Sequence, residues 1–560
     1  VIQFSVKKAI VCLFVGASLL PAACAQNDSS YSEPAVEPIV GMMSDSYGGD
    51  SPGGSVLVMQ ADQVLMTLGF GLADLEWEVP VGSDTSFRLG SISKPITAIA
   101  ILQLVERGVL DLDAPISTYL NDLAPQLGRP TLRQLLSHTS GLPDHFSLPQ
   151  IPSIMRNPIT PTGILELMSE VEPVFEPGTR WSYSNFNYVV LGYLIEHIDA
   201  QGRDYGQYIE EEIFEPLGMT DSHYDRQSSV IPRRARGYDH DGVAVVNTIT
   251  VETSLAYAAG AMMSSADDMA LFTNALRENR LLGPDMQNEA WTPTQLNDGS
   301  ATRYGLGFNI TEFMGERVVW HSGAINGFQT AWLHMPDSDR SVAVLSNGFY
   351  LANTTTMARR ILAYMADQPV PDFTVQPFVD ADWPGLEARY ALADGRTLQL
   401  HVQDGVRFNV DGDSWADLAY AGSDVFFWPD SLSHLRIQRD AGGEITGVTY
   451  LNGALNRSEG VRRSAEIEGA QISVQYDAAY VASLAGDWLM DSGDSFRVEF
   501  DGQNLSLQPP GQPERRLHAS ATGEYFVRDI PISMIFDANG ASAEINMWGS
   551  IFVLTRHQDG

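Results

Sequence analysis

Ser91 and Lys94 stand three residues apart in the run Phe87-Arg88-Leu89-Gly90-Ser91-Ile92-Ser93-Lys94. With a helix starting at Ser91, that spacing puts both side chains on one face, where hydroxyl and amine can meet. The unsatisfied N–H groups of a helix start favour an alkoxide at Ser91 and depress the pKa of Lys94, which sets a nucleophile beside its proton acceptor. An S-x-x-K string by itself more often marks an N-cap followed by a solvated lysine. The lysine usage argues against that here. Lysine occurs only at positions 7, 8 and 94, and the other 31 basic residues are arginine. Arginine does not give up its proton, whereas a desolvated amine can be tuned toward neutrality and used as a base.

Two further segments carry groups that could join this pair. Phe175-Glu176-Pro177-Gly178-Thr179-Arg180-Trp181-Ser182-Tyr183-Ser184-Asn185 reads as a turn that delivers Tyr183 and Asn185 just before the next helix. A phenol becomes a usable base when a cation holds its phenolate, and Lys94 could supply that charge. Val318-Val319-Trp320-His321-Ser322-Gly323-Ala324 reads as an edge strand whose backbone can pair with a substrate. Gly323 admits close approach there, His321 would face the bound group, and one strand N–H with that of Ser91 could hold a carbonyl oxyanion.

These residues need a scaffold, and the pattern supplies one. Strands are expected at 55–60 and 64–70 as a hairpin around Ala61-Asp62-Gln63, and again at 317–321, 328–334 and 341–346. Residues 92–107 are apolar almost all round and stop at Gly108, the signature of a buried helix with Pro95 near its first turn. Other helices are expected at 131–137, 162–170, 186–199, 204–213, 266–278 and 354–366. Strands at both ends with helices between predict one α/β domain over 53–367, in which the first hairpin joins the late strands in an antiparallel sheet. Residues 26–52 read as a Ser, Asp, Gly and Pro-rich tail, and 368–377, with three prolines, as a linker. Beyond it, short alternating strands separated by Asp-Gly and Gly-Gly turns predict an all-β half. Two stretches there resemble each other, one around Tyr390 and one around Trp488, so two antiparallel barrels are expected at 378–465 and 466–560.

Ser91-x-x-Lys94, Tyr183-x-Asn185 and His321-x-Gly323, in that order, resemble the active-site motifs of the serine hydrolases that include class C β-lactamases, penicillin-binding DD-peptidases, D-aminopeptidases and β-lactamase-fold esterases. Leu136-Ser137-His138-Thr139-Ser140-Gly141-Leu142-Pro143 and Pro216-Leu217-Gly218-Met219 are similar to supporting stretches of the same family, and the resemblance covers about residues 45 to 365. It implies Ser91 as the acylated nucleophile, Lys94 as its activating amine and Tyr183 as the proton shuttle. Asn185 would position the substrate amide or ester, and the Ser91 and Ala324 N–H groups would form the oxyanion hole. His321 stands where the family more commonly has lysine. A neutral imidazole binds a carboxylate less well than an ammonium, which speaks against β-lactam turnover. A hydrolase followed by two barrels is closest in layout to D-aminopeptidase, in which a barrel loop borders the site.

Composition narrows the rest. The 560 residues are 44% apolar, enough for several cores, and carry a formal charge of −36 that would repel nucleic acid and anionic lipid. Residues 1–25 read as a secretory signal, with Lys7 and Lys8, an apolar run over 9–20 and a small-residue site at Ala23-Cys24-Ala25. The run is too short to span a bilayer and no transmembrane segment follows, so a periplasmic or secreted protein is expected, the alternative being a lipoprotein anchored through Cys24. Both cysteines, Cys12 and Cys24, fall in that signal. No H-E-x-x-H or Gly-rich phosphate loop occurs, so neither metal nor cofactor is expected. Gly49-Asp50-Ser51-Pro52-Gly53 matches G-x-S-x-G but lies in a loop without a following helix, and Met262-Met263 reads as core. The expected activity is hydrolysis of a small amide or ester, with a D-aminoacyl peptide or amide favoured. A β-lactamase-fold esterase and a non-catalytic module that binds peptides or peptidoglycan are the alternatives, and the oligomeric state is open.

Overall fold

The computed structural model describes residues 36–249, 251–371, 373–379, 383–402, 405–411, 416–428, 431–464, 483–490, 495–500, 505–508, 515–521, 524–527, 532–536, 542–547 and 550–556. The expected signal at 1–25 and the first part of the expected tail lie outside the described residues. The rest of that tail departs from expectation. Glu37–Tyr47 is a helix, α1, whose buried Ile39, Met43 and Tyr47 recur every four residues. One buried stripe at helical spacing outweighs the local Ser/Gly composition, because it covers apolar surface that would otherwise face water. The Tyr47 hydroxyl pins the end of α1 by donating to Ala352 O at 2.7 Å.

The hairpin β1 (Gly54–Gln60) and β2 (Gln63–Phe70) follows, then α2 (Ser93–Glu106), α3 (Asn185–Ile198) and α4 (Ala266–Arg277). Strands β3 (Asn309–Phe313), β4 (Glu316–Ile325), β5 (Phe328–Met335) and β6 (Arg340–Ser346) precede α5 (Thr354–Met365). They form one sheet of order β3-β4-β5-β6-β1-β2. Antiparallel pairing from Gly54↔Ser346 to Gln60↔Arg340 closes the first hairpin onto the last strand, as expected.

The central strands of the sheet are buried on both faces, which explains why β1 reads as an unbroken apolar run rather than an alternation. Val56 and Val58 of β1 join Val342 and Val344 of β6 against α1 and α5, whereas Leu57, Met59, Ala343 and Leu345 face the other core with α2, α3 and α4. Helix α2 lies deepest in that second core, with 11 of its 14 residues buried, Lys94 among them. Each buried Ile or Leu contributes about 1.5–3 kcal/mol, so a helix with no polar face is stable only inside such a layer.

Two closed eight-stranded barrels follow, with strands between Ala388 and Ser464 and between Gly486 and Arg556. Tyr390 and Trp488 take the same place in the first strand of each. Both are fully buried, and each donates to the carbonyl four residues earlier, Tyr390 to Leu386 O at 2.9 Å and Trp488 to Leu484 O at 3.0 Å. That shared local bond supports a duplicated unit. The first barrel docks on the β3–β4 turn, where the Met314 N–H donates to Ala454 O at 2.8 Å and Asn456 Nδ2 to Glu312 Oε1 at 3.0 Å. At about 3.3 Å per residue, this contact lies roughly 25–30 Å along β4 from Gly323. No helix among the described residues is long and apolar enough to cross a membrane.

Candidate active site

Ser91 is carried by a 3-10 turn, Gly90–Ile92, that runs straight into α2. The helix itself begins two residues later than the spacing suggested, and the turn keeps the hydroxyl and the amine on one side. Gly90, at φ +53°, and Gly323 let this turn lie against β4. A Cβ on Gly323 would stand 1.8 Å from Leu89 O and 2.4 Å from Thr330 Oγ1, so only glycine fits. Gly323→Ala is therefore expected to push the Ser91 turn off the strand. We expect a loss of about 1–3 kcal/mol in stability and about 100-fold in kcat/KM, read by thermal unfolding and steady-state kinetics.

Strand β4 is an edge only in its second half. Strand β3 pairs with 316–320 and then stops, so the rest of β4 has a strand partner on the β5 side alone. Ala324 is exposed there, and its nitrogen lies 2.8 Å from where a Cβ of residue 90 would stand, which sets the strand backbone beside the Ser91 turn.

Two paired loops bring the remaining groups together. The 138–144 segment pairs with 174–182 through Val174 N–H to Gly141 O at 2.9 Å, Gly178 N–H to Thr139 O at 2.8 Å and Ser182 N–H to His138 O at 2.9 Å. His138, held at φ +59°, accepts the Ser184 N–H on Nδ1 at 3.2 Å. Tyr183 is thereby presented over Ser91, and its hydroxyl donates to Ser91 Oγ at 2.8 Å. Lys94 Nζ lies 3.0 Å from the same Oγ, 2.7 Å from Asn185 Oδ1 and 2.8 Å from Ala259 O.

Electrostatics separate the roles of the two candidate bases. Burial pushes the Lys94 amine down to about 7, partly opposed by the negative charge of Asp144. Desolvation, rather than the helix start, is the main cause. Burial also pushes the Tyr183 phenol above the usual range, and its hydrogen bond to Ser91 offsets only part of that rise. Tyr183 therefore keeps its proton at neutral pH, and the expectation of a phenolate held by Lys94 gives way to a neutral phenol that donates. In the neutral amine, two N–H bonds go to the carbonyl oxygens of Asn185 and Ala259, which leaves the lone pair for Ser91. The chain then runs one way, from Tyr183 O–H to Ser91 O–H to Lys94 nitrogen.

His321 differs from its expected part. Its ring is buried, Nε2 lies 2.9 Å from the Tyr304 hydroxyl and Nδ1 2.7 Å from Ser322 O. A carbonyl only accepts, so Nδ1 carries the proton and Nε2 takes that of Tyr304. Burial, reinforced by the charge on Lys94, pushes this imidazole down to about 3. Both nitrogens are used within the protein, and the ring is a neutral wall 6.4 Å from the Tyr183 ring rather than a group pointed at a ligand. Asn185 donates through Nδ2 to Asp144 Oδ2 at 2.6 Å.

Sequence reasoning missed Asp144, Ala259 and Tyr304. Asp144 directly follows the Leu136–Pro143 stretch, and no spacing signal marked the others. Ser51 of the G-x-S-x-G string donates to Gly48 O at 2.9 Å in the loop before β1, and Met262 and Met263 are buried in a short core strand.

Residues 37–366 match the family model described as Beta-lactamase. Penicillin-binding protein 4* of Bacillus subtilis (strain 168) is 31% identical over 311 residues, 52% of this chain and 68% of that protein. A D-aminopeptidase of Brucella anthropi is 27% identical over 524 residues, 89% of this chain and 96% of that protein. The chain spans about three fifths of the length of some other curated relatives, for example 58% of the D-aminopeptidase of Gluconobacter oxydans. Among solved structures, D-amino acid amidase from Ochrobactrum anthropi SV3, complexed with L-phenylalanine amide, superposes with a TM-score of 0.52 at 27% identity, covering 59% of this chain and 98% of that one.

Proposed function

The chain belongs to the β-lactamase family, and from that premise we propose that it is an exported serine hydrolase that cleaves a small amide or ester through an acyl-enzyme on Ser91. A D-aminoacyl peptide or amide is the favoured substrate. The hydrogen bonds of Tyr183 and Lys94 to the Ser91 hydroxyl, with the amine held near pKa 7 so that its neutral form can accept the Ser91 proton, carry the reading. A group that is half neutral near physiological pH is a better general base than a lysine titrating three units higher.

In the proposed reaction Ser91 Oγ attacks the carbonyl carbon and its proton passes to Lys94. The Ser91 and Ala324 N–H groups hold the oxyanion, and the second Nδ2 proton of Asn185 holds the acyl portion. Tyr183 gives its proton to the leaving group and is reprotonated from Lys94. Water then attacks the ester by the reverse path, which splits one hard hydrolysis into two easier steps.

The D-aminoacyl preference is supported by the D-aminopeptidase that aligns over 96% of its length and by the D-amino acid amidase that shares the fold. Site charge agrees. The imidazole at 321 is neutral and so supplies no cation for the carboxylate that penicillins carry. The export part of the reading is supported by the charged and apolar pattern of residues 1–25.

Labelling with a fluorophosphonate or a tagged penicillin, followed by peptide mass mapping, should place the adduct on Ser91. Turnover of D-aminoacyl anilides should exceed that of short-chain nitrophenyl esters and of nitrocefin, with kcat/KM falling below about pH 7 as Lys94 gains its proton. An adduct elsewhere, or none with any acylating probe, would favour a binding module. A clear preference for nitrophenyl esters would favour an esterase.

A further inference from the structure

We infer that Asp144 is a positioning residue of this hydrolase: its carboxylate turns the Asn185 carbonyl onto Lys94 and keeps a negative charge beside the amine that must receive the Ser91 proton. The inference rests on the serine hydrolase reading above.

A carboxamide has no orientation of its own, since oxygen and NH2 are nearly equal in shape. At Asn185 the choice is made by neighbours. Asp144 Oδ2 accepts from Asn185 Nδ2 at 2.6 Å and from the Asn185 N–H at 3.2 Å, while Oδ1 accepts from the Phe146 N–H at 3.0 Å. A carboxylate only accepts, so Nδ2 must face it and Oδ1 must face Lys94 Nζ, 2.7 Å away. The flipped amide would set oxygen against carboxylate and NH2 against amine. Without Asp144 that flip costs little, and a flipped Nδ2 would donate into the lone pair of neutral Lys94, which Ser91 needs.

The charge has a separate effect. The other titrating groups around Lys94 are uncharged at neutral pH. The Tyr183 and Tyr188 rings, 4.8 and 5.6 Å from Nζ, belong to phenols that burial holds protonated. Burial keeps the His138 and His321 imidazoles neutral. His145, whose Nδ1 is 3.5 Å from Asp144 Oδ1, has its basicity lowered by burial and bonds Leu255 O through Nε2 at 2.9 Å. Asp144 is thus the anion that opposes desolvation at Lys94. It keeps the amine basic enough to accept the Ser91 proton, and an amine too weak for that would be a poor base even when neutral.

Two substitutions separate these effects. Asp144→Asn can still accept from Asn185 through its own carbonyl, since the Phe146 N–H sits at an exposed turn where water can replace the lost acceptor. It removes the charge alone. Asp144→Ala removes both. The readouts are the pH dependence of Ser91 acylation by a nitrophenyl ester, kcat and KM for that ester, and the unfolding temperature. In Asp144→Asn the acidic limb of kcat/KM is expected to move down by about one pH unit, because a lone ammonium near its counter-charge loses its proton less readily than one without it. In Asp144→Ala kcat is expected to fall about 10- to 100-fold, with a rise in KM as the flipped Asn185 amide loses its hold on the acyl group. An acidic limb that stays in place in Asp144→Asn, or wild-type kcat in Asp144→Ala, overturns the inference. A merely structural role would lower the unfolding temperature and leave the pH profile where it was, which also overturns it. Absence of Ser91 acylation in the wild type would instead overturn the hydrolase reading itself.

Discussion

Ser91→Ala is expected to lower kcat by about 10⁴- to 10⁶-fold while moving the unfolding midpoint by no more than about 3 °C. The change removes one hydroxyl from a half-buried position at the cleft and no packed carbon beyond it. Tyr183 and Lys94 both lose a partner, but Lys94 keeps its bonds to Asn185 and Ala259. The chemistry has no substitute for the lost hydroxyl. Water held between the phenol and the amine could still be activated, but it would give direct hydrolysis without an acyl intermediate, so burst kinetics should vanish with the turnover. Residual activity within tenfold of wild type would show that the reaction does not pass through this hydroxyl.

Lys94→Arg is expected to lower kcat by about 10³- to 10⁴-fold, because a guanidinium retains the charge and cannot take the proton. Near-full activity would remove Lys94 from its proposed role as base. Lys94→Met tests the titration from the stability side. The folded-state value is held down to about 7, below the ordinary lysine value of 10.5. Between those two values the unfolded chain binds the proton and the folded chain does not. Wild-type stability therefore gains with rising pH across that window, relative to a variant with no amine, by roughly 3–5 kcal/mol in all. Below about pH 7 both states carry the proton and the difference is constant. Chemical unfolding of wild type and Lys94→Met at pH 6, 8 and 10 should show the wild type improving relative to the variant at each step. A pH-independent difference would mean that the amine is not desolvated.

Much of the scaffold is legible in the sequence, for identifiable reasons. Helix α2 carries apolar residues on every side, which has no stable solution except burial between layers. The first hairpin and the last strands share an apolar character that only a two-faced sheet accommodates, and they pair over seven residues. The barrels announced themselves through turn residues between short alternating strands. Helix α1 was obscured because three buried residues in eleven are a weak signal beside flanking Ser, Asp and Gly.

Residue type and spacing alone determined which groups were available for chemistry: a single lysine outside the first 25 residues, one turn from a serine, with Tyr183, Asn185 and His321 further along. Tertiary structure decided what state each is in. The amine of Lys94 is held by carbonyls 91 and 165 residues away in the chain, those of Asn185 and Ala259, in a site whose burial lowers its proton affinity. His321 is held neutral by burial, with Tyr304 occupying its Nε2, and Asn185 is oriented by Asp144. Proton affinity and amide orientation are set by dielectric surroundings and by partners within about 3 Å. Those neighbours come from loops distant in sequence, so no local pattern could reveal them.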